Sequence, residues 1–181
     1  MEKDILNETT VKSETVYTGP VFKVEKNEVV LPDGKPARRD VVRHMGAVCV
    51  IPIDENGKAI AVRQYRTGYG GVTLEIPAGK LDSKDEEPLS AAMRELREEV
   101  GAIANEWIYL GEYYGSPAIV DEKIYMYLAR ELEYCDTEPD EDEFIEIERI
   151  PLGELKDMVM RGEIPDGKTQ CAVLRAFLME N

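Results

Sequence analysis

The stretch AGKLDSKDEEPLSAAMRELREEVGA, residues 78–102, decides how this chain is read. Its apolar residues Leu89, Ala92, Met93, Leu96 and Val100, placed at about 100° per residue, fall inside an arc of about 100°. That spacing predicts an amphipathic helix with these five side chains facing a core. Glu95, Glu98 and Glu99 fill a neighbouring wedge of about the same width. Glu95 and Glu99 are an i,i+4 like-charge pair with Glu98 between them in space. Such pairs destabilise an isolated helix by about 0.2–0.5 kcal/mol each, so a compensating positive charge is expected from outside the helix. Hard divalent cations take oxygen ligands, and carboxylates at i, i+3 and i+4 point at one spot and can share one. For an isolated E-x-x-E-E pattern, a solvated acidic face is the alternative.

Working outward, TLEIPAG (residues 73–79) reads as a short strand running into the acidic helix, and GAVCVIPI (46–53) and AIAVRQYR (59–66) read as buried strands around the turn DENGK. After the helix, EWIYLGEYY and EKIYMYLARELEY are strand-like, the acidic loop CDTEPDEDE follows, and FIEIERI alternates as a strand. PLGELKDMVMRG and KTQCAVLRAFL have helical periodicity. Upstream, residues 17–31 and ARRDVVRH (37–44) read as two strands around the turn PDGKP, a hairpin too small to be stable alone. It needs a surface on the body of the chain or on a second copy. The order is that of a mixed α/β domain, strands preceding and following one central helix, without the regular alternation of a doubly wound sheet.

The chain has 181 residues, 43% of them hydrophobic, which suits one domain of moderate size or a domain with a small appendage. The net charge of −15 argues against a grip on nucleic acid, because neutralising phosphates takes clustered Lys and Arg. An anionic small molecule remains compatible if a cation bridges it to the acidic surface. Cys49, Cys135 and Cys171 are scattered and include no C-x-x-C, so reduced thiols in a cytoplasmic protein are expected. MEKDILNETT has no apolar core of a leader, and no apolar run approaches the ~20 residues of a membrane span. His44 is the single histidine; with no partner at ligand spacing, it is expected at the surface or in a dimer contact.

The helix and its approach resemble the signature of the Nudix hydrolases, G-x5-E-x7-R-E-U-x-E-E-x-G-U, where U is a bulky apolar residue. Gly79 opens the match, and Glu86 is followed after seven residues by Arg94-Glu95-Leu96-Arg97-Glu98-Glu99-Val100-Gly101. Two departures stand out: six residues rather than five separate Gly79 from Glu86, and the closing apolar residue is the small Ala102. The resemblance implies an α/β/α sandwich with a mixed sheet, class α/β (α+β), preceded by an N-terminal β-hairpin region. Residues 1–44 would be that N-terminal β region, serving dimerisation and substrate contacts, and 45–181 the hydrolase domain. It further implies Mg2+, or Mn2+, held by Glu95 and Glu99. Glu98 would coordinate or orient a metal-bound water, the Ala78 carbonyl would be a further ligand, and Arg94 would keep the carboxylates in register.

Flanking stretches resemble the ADP-ribose pyrophosphatase branch: VRQYRTG, EIPAGK, YYGSPAIVDEKIYMYLA and GEIPDGKTQCAVL, in that order. SPAIVDE departs from the branch, which more often has glycine and an aromatic residue or threonine after the proline. The resemblance implies a nucleoside diphosphate sugar as substrate, Arg66 on its phosphates, Glu122 on its sugar and Arg39 helping to hold the nucleotide, often across a homodimer interface. A surface charge is the alternative for Arg39, and Arg63 has an ion pair with a neighbouring carboxylate as its own. The branch places a catalytic base on a loop after the main sheet, where Glu143 aligns best and Glu141 is next. A nucleotide sugar such as GDP-mannose is the competing substrate.

Overall fold

The computed structural model describes residues 5–138 and 144–180. In chain order the elements are β1 (Thr9–Thr18), β2 (Phe22–Val30), β3 (Pro36–His44), β4 (Ala47–Pro52), β5 (Lys58–Arg66), β6 (Gly71–Glu75) and β7 (Ala78–Lys80). Then come α1 (Pro88–Val100), β8 (Ala102–Tyr113), β9 (Ile124–Tyr134), β10 (Glu146–Pro151), α2 (Leu152–Met160) and α3 (Gly167–Glu180). The chain divides into two units, residues 1–45 with 114–122, and residues 46–113 with 123–181.

In the first unit β1, β2 and β3 form an antiparallel sheet in that order. The expected two-stranded hairpin is therefore a three-stranded sheet. Gly19 N–H donates to the Phe22 carbonyl and closes a turn inside what reads as one β-rich run. The 114–122 segment attaches to β3 through a parallel bridge between Val42 and Val120.

The second unit is built on the mixed sheet β7-β4-β9-β8 and the antiparallel sheet β10-β5-β6. Every residue of β4 is buried, and it pairs parallel to β9, as expected of a strand covered on both faces. Its alternation sorts two cores. Ala47, Cys49 and Ile51 join Leu155, Val173 and Ala176 of α2 and α3, whereas Val48 and Val50 join Ala92, Leu96 and Val100 of α1. β5 splits the same way, Ala59 and Ala61 to the first core and Ile60 and Val62 to the second. The result is the expected α/β/α sandwich.

Local chemistry brackets α1. Glu87 caps its N-terminus, accepting from Ser90 N at 2.8 Å, and Pro88 opens the first turn, where a missing N–H costs nothing. Gly101 ends it at φ 66°, ψ 45°, and a Cβ there would lie 2.5 Å from the Cys135 carbonyl oxygen. Four of the five apolar residues expected to face the core do so; Met93 is 44% exposed. Ala91, outside the expected set, is fully buried instead.

Candidate active site

β7 pairs with the edge of β4, Val48 opposite Gly79 and Cys49 opposite Ala78, and α1 crosses over it. This crossing explains the first glycine of the signature. A Cβ at position 79 would sit 2.0 Å from the Glu95 carboxyl carbon, so any other residue would displace that carboxylate. Glu99 accepts from Ala78 N at 3.1 Å. Glu95 and Glu99 are 8% and 3% exposed, a burial that acidic residues rarely accept without a partner.

Arg94 gathers the rest. Its Nη1 donates to Glu95 Oε1 at 2.7 Å and to Glu98 Oε2 at 3.1 Å, and Nη2 donates to the Lys80 carbonyl at 3.2 Å. Glu86 Oε1 lies 3.5 Å from Nη2. Burial works against the Arg94 charge, but Glu95, Asp82 and Glu98 outweigh it and hold the guanidinium pKa above its ordinary range. The extra residue before Glu86 is absorbed by a turn. Glu86 N donates to the Ser83 carbonyl at 3.3 Å, and Asp82 N donates to the Glu86 carboxylate at 2.6 Å, which returns that side chain to Arg94. Ala102 is fully buried in the α1 core, where its small size fits the start of β8 directly after the helix.

The structure thus brings together Ala78, Arg94, Glu95, Glu98 and Glu99. Three or four carboxylates face one guanidinium, and the donors are all hard oxygens, a set that fits a divalent cation. Among the described residues no three Asp, Glu, His or Cys side chains converge on one point, because Arg94 draws Glu95 and Glu98 while Ala78 N–H holds Glu99.

A second polar cluster lies in the same unit, and of its members the sequence singles out only Arg66. Arg66 donates from Nε and Nη2 to Glu75, both at 2.9 Å. Glu75 also accepts from Thr73 Oγ1 at 2.6 Å and from Lys168 Nζ. Burial raises the Glu75 pKa, but these donors outweigh it and bring it to about 2. Arg66, expected to meet substrate phosphates, is thus committed on one edge to a protein carboxylate. Its signals were the Glu of EIPAGK and the Lys of PDGKTQ, both present in the stretches that carried the branch resemblance. Arg63 takes its alternative reading and pairs with Glu148.

The other expected residues belong to the first unit. Arg39 pairs with Glu8. Glu122 Oε1 is 3.4 Å from His44 Nδ1, and the His44 side chain is 12% exposed. The side chain expected at the surface or in a dimer contact is thus mostly covered within this chain, because the 114–122 segment folds back onto β3. Asp121 fixes that return, accepting from His44 N at 2.7 Å and Arg43 Nη1 at 3.2 Å. Glu141 and Glu143 lie outside the described residues.

Residues 43–169 match the NUDIX domain family, and residues 8–42 match the nucleoside diphosphate sugar hydrolase N-terminal domain. The chain belongs to the Nudix family. It is 39% identical to the ADP-ribose pyrophosphatase of Bacillus subtilis (strain 168) over 177 residues, 97% of this chain and 95% of that one. It is 38% identical to the ADP-ribose pyrophosphatase of Mycobacterium tuberculosis, over 91% of this chain and 81% of that one. The methanol dehydrogenase activator of Bacillus methanolicus is equally similar, 38% identical over 97% and 96%. Among solved structures, the crystal structure of an ADP compounds hydrolase superposes with a TM-score of 0.85 at 25% identity, over 98% of this chain and 96% of that one. Nudix hydrolases generally require a divalent metal, in keeping with the oxygen-rich donor set around Gly79. Among the described residues, no helix of this Nudix protein is long and apolar enough to cross a membrane.

Proposed function

We propose that this Nudix hydrolase cleaves ADP-ribose into AMP and ribose 5-phosphate. Water adds to one phosphorus and the bridging P–O bond breaks. The observation that carries the hydrolytic reading is the pair of buried carboxylates, Glu95 against the side-chain-free Gly79 and Glu99 on the Ala78 N–H. The substrate reading is supported by relatives 38–39% identical that are named ADP-ribose pyrophosphatases.

Glu95, Glu99 and the Ala78 carbonyl would hold Mg2+, with Mn2+ as a substitute. When bound, such a cation neutralises diphosphate charge and lowers the pKa of a coordinated water. Glu98 would orient the attacking water, and Arg94 keeps the carboxylates in register through charge-assisted hydrogen bonds. Glu143, or Glu141 beside it, accepts the water's proton. Arg66 binds the phosphates, Glu122 the sugar portion and Arg39 the nucleotide. The working form is a cytoplasmic homodimer joined through the N-terminal β region, residues 1–44, with 45–181 as the hydrolase domain.

GDP-mannose is the second reading, favoured by GDP-mannose pyrophosphatases 33% identical over 150 residues. Initial rates on ADP-ribose, GDP-mannose, NADH and diadenosine polyphosphates with Mg2+ decide between them. Preference for ADP-ribose is expected, and preference for any other member of the panel overturns the assignment. Light scattering tests the assembly; a monomer contradicts it.

A further inference from the structure

Of the charges around Glu75 only Arg66 has a part in the proposed chemistry, yet all of them are joined in one buried polar cluster of the second unit. Glu75 is 2% exposed and accepts from four donor groups, Arg66 Nε and Nη2, Thr73 Oγ1 and Lys168 Nζ. Lys168 Nζ lies 3.0 Å from Asp166 Oδ2, which accepts from Thr169 N at 2.9 Å at the start of α3. Thr169 Oγ1 donates to Asp166 and accepts from Ile76 N at 3.0 Å. The cluster therefore ties the start of α3, 93 residues away in sequence, to the segment that carries Ala78 and Gly79. A cavity of about 300 Å3 opens on it, lined in part by Arg66, Tyr69, Thr73, Glu75, Asp166 and Lys168.

Arg66 ends β5, and its guanidinium is held by Glu75. The bidentate contact uses the Nε/Nη2 edge, so the planar fork turns its Nη1 edge away from Glu75. Lys168 shares that carboxylate, so Glu75 is held from two sides and the Arg66 guanidinium is fixed in orientation. Lys168 is itself 11% exposed and packed between two carboxylates, too enclosed to meet a substrate as a free cation.

We infer that Lys168 is a positioning residue: by sharing the Glu75 carboxylate with Arg66, it fixes the guanidinium with its Nη1 edge presented to a diphosphate. This rests on the phosphate role proposed for Arg66. It assigns the lysine and the N-terminus of α3 to recognition of the diphosphate common to every nucleoside diphosphate sugar, not to the sugar or base.

The test is a double-mutant cycle on the full chain with Lys168→Met and Arg66→Lys. Lys168→Met should raise KM for ADP-ribose about tenfold while kcat changes less than about threefold, as lost uniform binding does. Lys168→Arg should restore most of the loss. The double variant should bind no worse than Arg66→Lys alone, because both substitutions remove one interaction. Lys168→Gln, which keeps a donor for Glu75 without the charge, supplies the measurement if Lys168→Met does not fold. Calorimetric binding of methylenediphosphonate with Mg2+ separates this inference from the substrate reading. If the wild-type chain prefers another substrate but Lys168 variants still weaken diphosphonate binding about tenfold, the inference stands alone. Additive effects, an unchanged KM, or equal diphosphonate binding in all variants overturns it.

Discussion

Two charged clusters of the same unit invite comparison. Around Gly79 one guanidinium, Arg94, serves Glu86, Glu95 and Glu98, with Glu99 nearby on a peptide N–H. Around Glu75 two cations, Arg66 and Lys168, serve two carboxylates, Glu75 and Asp166. The first is short of positive charge and the second is balanced. A balanced buried cluster is satisfied as it stands and resists rearrangement, which suits it to hold one member, Arg66, in a fixed orientation. An unbalanced one stores repulsion that an incoming cation relieves. The deficit, more than the density of charge, marks where a cation belongs.

The sharpest way to break this comparison is Glu99→Gln, which keeps shape and the Ala78 contact but removes a charge. Turnover should fall by about two orders of magnitude or more while the circular dichroism spectrum stays native. Near-normal kcat would show that the charge deficit is not the catalytic feature. Glu75→Gln should act the other way, on stability first. Removing one partner of a buried pair leaves Lys168 under-compensated, at a loss of about 3 kcal/mol measurable by urea denaturation. Stability equal to wild type would mean that the balanced cluster is not structural.

A smaller effect follows from linkage. Mg2+ at about 100 times its dissociation constant should stabilise the wild-type fold by about 2.7 kcal/mol and raise Tm, and Glu99→Gln should lose most of that rise. Acid denaturation separates the clusters further. The Glu75 pKa is depressed from 4.5 to about 2, so its contribution is complete above about 4.5 and is lost as pH falls towards 2. The urea midpoint of Glu75→Gln should therefore change less over that window than that of wild type. The smallest effect is expected at Arg97→Ala. Its pair with Glu138 is 53% and 62% exposed, and such contacts contribute about 0–1 kcal/mol. A thermal melt within a degree or two of wild type is the expected result.

Legibility in the sequence followed range. The amphipathic helix and its acidic wedge are read from neighbours three and four residues apart, and the structure places that helix over 88–100. Met93 departs because it sits at the edge of the apolar arc, where it is 44% exposed. The β-rich run 17–31 hid a turn at Gly19, since Thr18-Gly19-Pro20 interrupts an otherwise uniform pattern only briefly. The second cluster stayed unread although its residues were quoted. Glu75 and Lys168 are 93 residues apart, and no local period links them.

The sequence alone determined the acidic amphipathic helix, because 3.6-residue periodicity and a motif of fixed spacing are properties of one short segment. It also determined the order of most strands and helices after residue 45 and, through the match over 43–169, the family. Only the tertiary structure decided why position 79 is glycine, which carboxylates Arg94 holds and that Arg66 is bound to Glu75. These depend on where β7 passes under α1 and where α3 begins against β6. Such crossings are set by sheet register and by two cores packing at once, which no single stretch of chain encodes.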